Sequence, residues 1–119
     1  MDATPIIIHG LADAQAAIAR DPAANLRSAQ GAVGYAGAMW WRELVALLRR
    51  ESGWRGLALL DCSDQAALAV EAIHCGVVDL IFDPASPLFA EISALATAAG
   101  GVVWPAAEAA PCAPDSSSS

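Results

Sequence analysis

NLRS, residues 25–28, is the most polar of five short segments that read as β-strands. The others are nearly continuous apolar runs at residues 6–8, 56–60, 78–82 and 102–104. Helical patterns separate them, at residues 12–20, at 37–50, in a segment ending near Cys75, and in a stripe of Leu88, Ile92, Leu95, Ala96 and Ala99. Strands alternating with helices predict a parallel sheet with right-handed crossovers. A strand buried on both faces of such a sheet is apolar throughout. Asn25, Arg27 and Ser28 therefore predict an edge position for the second strand. The expected fold is α/β: a three-layer, flavodoxin-like parallel sheet of five strands in the order 2-1-3-4-5. The alternative is half of a (βα)8 barrel, whose open edges would favour a dimer.

The punctuation agrees with four βα units and a fifth strand. DPAAN at 21–25 breaks the first helix, and ESGWRG at 51–56 closes the longest one. In DCSD, residues 61–64, Asp61, Ser63 or Asp64 can cap the helix that follows. Gly76 is placed to end that helix in a left-handed conformation. In DPASP, residues 83–87, Ser86 reads as an N-cap and Pro87 as the first helical residue. Residues 1–105 read as one domain. Residues 106–119 are aperiodic, end in four serines and read as a disordered tail. A faint repeat relates IIIHGLADAQAAIA at 6–19 to ALLDCSDQAALAV at 58–70, and reads as two similar units in an alanine-rich chain.

Charge removes several functions. The 119 residues carry a net charge of −7, and all six basic residues are Arg. Such a chain is repelled by a phosphate backbone, so neither nucleic acid nor an anionic membrane is an expected partner. Without Lys there is no Schiff-base nucleophile and no P-loop lysine. Cys62, Cys75 and Cys112 follow no metal or disulfide spacing, which suits reduced thiols and a cytoplasmic protein. MDATPIIIHG, residues 1–10, has the pattern of neither a signal nor a transit peptide. No apolar run is long enough to span a bilayer. No cofactor is expected.

In open parallel sheets, ligands bind beyond the carboxyl ends of the strands. Those ends carry His9, Ser28 with Gln30, Asp61 with Cys62, Asp83 and Trp104. His9, Asp61 and Asp83 are the candidate acid–base or metal-binding set, since two carboxylates and an imidazole suit either task. Asp at such a position is also a common turn former. The segment SAQGAVGYAGAMWW, residues 28–41, spaces Gly31, Gly34 and Gly37 three apart. This matches neither dinucleotide nor P-loop motif. It could still form a small anion site from Ser28, Gln30, Gly31 and Gly34, with Tyr35 closing over it. In the helix beyond, Trp40 is expected to pack on the sheet. Trp41, joined by Trp54, is expected to anchor a partner surface. Glu71, His74 and Cys75 read as a solvated helix face rather than a metal site.

LALLDCSD at 57–64, with Asp61 ending a strand, and VVWP at 102–105 resemble the receiver-domain family. That resemblance implies a flavodoxin-like fold. The receiver's acidic pair is replaced by His9-Gly10 and its lysine by Trp104, so Mg²⁺ binding and phosphotransfer are not implied. ALAVEAIHCGVVDLIFDP, residues 67–84, is similar to a βα unit of phosphate-binding barrels. The whole chain is similar to small bacterial βα proteins of receiver-like or half-barrel shape. The expected function is a non-catalytic interaction or dimerisation module, acting as a homodimer or on a protein partner. The alternative is a protein or enzyme that binds a small anionic metabolite at the strand ends.

Overall fold

The computed structural model describes residues 4–106. Ten elements follow in order: β1 (Ile6–Ile7), α1 (Leu11–Arg20), β2 (Leu26–Arg27), α2 (Ala32–Tyr35), α3 (Ala38–Ser52), β3 (Ala58–Asp61), α4 (Ala66–His74), β4 (Asp79–Phe82), α5 (Phe89–Ala98) and β5 (Val102–Pro105). The tail expected over 106–119 lies, from residue 107 on, outside the described residues.

All five strands are parallel, as expected, but their order is β1-β2-β3-β4-β5. This replaces the order 2-1-3-4-5. β2 is flanked on both sides, with Leu26 opposite Ile6 and also opposite Ala58. The order is that of the half-barrel alternative. Its polar residues are explained by bonds to β3 rather than by exposure. Asn25 Oδ1 accepts the Leu57 N–H at 2.9 Å. Arg27 pairs with Asp61, and Ser28 Oγ accepts the Asp61 N–H at 2.8 Å. Each polar side chain of the segment fastens β2 to its neighbour.

The helices also depart from a three-layer arrangement. Buried residues of all five helices share one core with Ile8, Leu26, Ala58, Leu60, Leu80 and Phe82 from alternate strand positions. The opposite strand positions, Leu59 and Ile81, form a separate cluster with Trp104 and Ala106. One face of the sheet thus carries the helices. Repeated crossovers of one hand between sequential strands have this result. Alanine makes the helical layer close: α1 buries Ala14, Ala17 and Ile18, and α4 buries Ala69, Ala72 and Ile73. The faint sequence repeat does not coincide with this pattern, since Gln15 lies within α1 whereas Gln65 is the N-cap of α4.

Two glycines permit strands to enter the sheet. A Cβ on Gly56 would stand 1.9 Å from the Ala24 carbonyl oxygen, and one on Gly101 would stand 1.9 Å from that of Val78. Both positions precede a strand where the neighbouring chain crosses at backbone contact distance.

Candidate functional site

The site begins with Asp61, the last residue of β3. Its carboxylate is 4 % exposed and its Oδ2 lies 2.8 Å from Arg27 Nη2. Arg27 Nε also donates to the Ser28 carbonyl at 3.0 Å. Asp61 Oδ1 accepts two backbone N–H groups, from Gly31 at 3.0 Å and Ser63 at 2.8 Å. The glycine turn therefore does meet an anion, and that anion is the protein's own carboxylate. Gly31 adopts φ +69°, which aims its N–H there. Ser63 is the one non-glycine residue with positive φ among those described, at +53°. Its carbonyl accepts the Asp83 N–H at 2.9 Å, so the strained turn is tied down on two sides.

Behind this turn is Cys62, fully buried on the helical side of the sheet. Burial pushes its thiol up to about 12, and the Asp61 charge adds to the rise. It is an inert core residue at neutral pH.

A cavity of about 380 Å³ opens at the carboxyl ends of the strands, lined by Ile7, Arg27, Gln30, Asp61, Ser63, Asp83 and Ala106. Asp61, Asp83 and Gln30 thus come together as expected from their strand-end positions. Asp83 also shapes its own loop, with Oδ1 accepting the Ala85 N–H at 2.9 Å.

The other expected residues lie elsewhere. His9 is not among the lining residues. Its backbone N–H donates to Asp13 Oδ2 at 2.8 Å, its Nδ1 lies 3.5 Å from the same oxygen, and its ring is largely exposed. Burial raises the Asp13 pKa, but the bonds it accepts, chiefly from the His9 and Gly10 N–H groups, together outweigh it and the net shift is downward. His9 and Asp13 together form the entry to α1. Ser28 is fully buried, its hydroxyl donating to the Ala29 carbonyl and accepting from Asp61 N–H. Tyr35 is 71 % exposed and closes over nothing in the cavity. Gly34 sits against the Gln65 side chain, where a Cβ would approach within 2.9 Å.

The tryptophans reverse the expectation. Trp41 and Trp54 are both buried in the core, and Trp40 is the half-exposed one packed on it. Trp54 Nε1–H donates to the Ala24 carbonyl at 2.6 Å, and the Arg49 guanidinium lies over its ring at 4.4 Å. Neither buried indole can anchor a partner. The cause is helix phase: Trp41, Leu44 and Leu48 share the buried stripe, and Trp40 falls beside it.

Arg27 and Ser63 are the site residues that the sequence did not single out. The signal for Arg27 was present, as one cation within a strand pattern and an Asp ending the next strand. It was masked by the edge reading of NLRS. Among the described residues no three His, Cys, Asp or Glu side chains gather closely enough to hold a metal ion. No described helix is long and apolar enough to cross a membrane. No family model matches the chain, and neither a curated protein nor a solved structure matches it at a significant level.

Proposed function

We propose that the chain is a non-catalytic binding module for a small polar molecule, held in the cavity at the carboxyl ends of the strands. The buried Arg27–Asp61 pair on the cavity wall carries this reading. A buried ion pair adds little net stability once both ions are stripped of water. Its position in a concave site, beside the strained Ser63 turn, fits a preorganised polar surface for a ligand. The charges refine the ligand class. The lining carries one Arg against two Asp, and the Gly31 N–H is engaged by Asp61. That favours a neutral or cationic hydrogen-bonding molecule over the anionic metabolite expected from the glycine spacing. His9 stands apart, so Asp83 has no imidazole partner there for acid–base work.

A thermal-shift screen of small polyols, amides and amines tests this. The expected result is a compound that raises Tm by several degrees in the wild type and by much less in Asp83→Asn and Gln30→Ala. A screen without stabilising compounds, or equal stabilisation of both variants, would overturn the reading.

The face of the sheet opposite the five described helices favours a second reading, association with another copy of the chain. Parallel sheets are ordinarily covered on both faces. β1 and β5 pair on one side only, with Ile6 and Val102 exposed along them. Because all strands point one way, a two-fold axis along them would set β5 of one copy parallel to β1 of the other.

A further inference from the structure

A second cavity, of about 230 Å³, lies at the opposite end of the sheet, beside the starts of β3 and β4. Trp41, Arg42, Val45 and Arg49 of α3 form one wall, and Val78 and Asp79 another. Its polar groups differ from those of the first cavity. Two guanidiniums face one carboxylate, so its lining has a net positive charge in a chain of net charge −7.

Trp41 adds an independent observation. It is 1 % exposed, and its Nε1–H is a buried donor without a hydrogen-bond partner among the described residues. Leaving such a group unpaired costs about 1–3 kcal/mol. Trp54, the other fully buried indole, has its acceptor in Ala24. Trp41 thus lines a cavity that already holds two cations, with its unpartnered donor buried behind that wall.

We propose that this cavity binds a compact oxyanion, a carboxylate or phosphate group, between Arg42 and Arg49, against the Trp41 indole that lines it. Arg42 and Arg49 are two helical turns apart, roughly 10 Å of rise, and both line the cavity. Arg49 is already positioned by its stacking on Trp54 and by its Nη1 bond to the Trp54 carbonyl at 3.4 Å. A guanidinium has five donors, and its flat fork suits an oxyanion. Arg42 makes a long contact to Met39 Sδ at 3.7 Å. Asp79 Oδ1 accepts the Val102 N–H at 3.1 Å. Burial raises the Asp79 pKa, offset in part by that bond and by Arg49. The small volume fits a ligand well below drug size.

The test uses the full ¹⁵N-labelled chain, titrated separately with inorganic phosphate and acetate against chloride at equal ionic strength. The Trp41 indole signal is assigned by its loss in Trp41→Phe. The expected result is a saturable shift of that signal with phosphate or acetate, and the tighter of the two identifies the group. Binding should weaken at least tenfold in Arg42→Gln, an exposed position where the substitution leaves the fold intact, and tighten in Asp79→Asn. The proposal is overturned if neither anion gives a saturable shift, if chloride gives the same shift, or if Arg42→Gln binds as the wild type does.

Discussion

Asp61 shows how one carboxylate can organise a strand end. It draws an N–H from the glycine turn, another from its own turn and a guanidinium from β2. Removing either ion of the pair leaves the other charged and buried, which typically costs about 3–5 kcal/mol. Arg27→Met is therefore expected to be severely destabilising in urea unfolding at pH 7. Asp61→Asn keeps an oxygen for the Gly31 and Ser63 N–H groups but turns its NH2 toward Arg27, losing both the charge and the bond to the guanidinium. The double variant Arg27→Met/Asp61→Asn should be more stable than the sum of the single losses by at least about 1 kcal/mol. Simple additivity in that cycle would show that the pair is not energetically coupled. The aspartate was legible in the sequence as a strand-end residue. Its use as the partner of Arg27 was not, because that depends on which strand lies beside β3.

Glycine shows at the level of elements how the same residue type serves two ends. Gly31 has positive φ and open space around its Cα, so Gly31→Ala should cost only the left-handed backbone penalty, roughly 1–2 kcal/mol. Gly56 has no such backbone requirement, but a Cβ there would meet the Ala24 carbonyl oxygen at 1.9 Å and Trp54 Nε1 at 2.7 Å. Relief requires the β2 entry to move away from β3 and strains the Trp54 bond to Ala24. Gly56→Ala should lower Tm by more than Gly31→Ala, and a smaller loss than at Gly31 would contradict the close-packed entry. The sequence marked Gly31 as a loop residue and Gly56 as the junction between the ESGWRG break and a strand. Only the approach of a chain segment 32 residues earlier separates the costs of substituting them. The helices were read closely, because amphipathic spacing is local. α1 was expected at 12–20 and spans Leu11–Arg20. The phase of α3 was misread by one residue, which exchanged the roles of Trp40 and Trp41.

The whole molecule is an asymmetric two-sided sheet, with the described helices on one face and a small separate apolar cluster on the other. Leu59 and Ile81 are fully buried on that second face together with Trp104 and Ala106. If a second copy covers the face and pairs the open strands, light scattering should give twice the 12.2 kDa chain mass. Val102→Asp, which charges the exposed start of the β5 edge, should then return the mass to that of one chain. A single-chain mass for the wild type at high concentration would exclude this assembly.

The amino-acid sequence by itself determined the class of the fold. Apolar runs alternating with amphipathic segments impose parallel βα units, because both patterns arise from local periodicity and from the need to bury one face of each element. It also placed His9, Asp61 and Asp83 at strand ends on one side of the sheet, of which Asp61 and Asp83 line one cavity and His9 does not. The tertiary structure decided the order of the strands. Polarity in NLRS is compatible with water at an edge and equally with partners in a neighbouring strand. Those partners, Leu57 N–H, Asp61 N–H and the Asp61 carboxylate, are more than 30 residues away and meet the segment only once the sheet has formed.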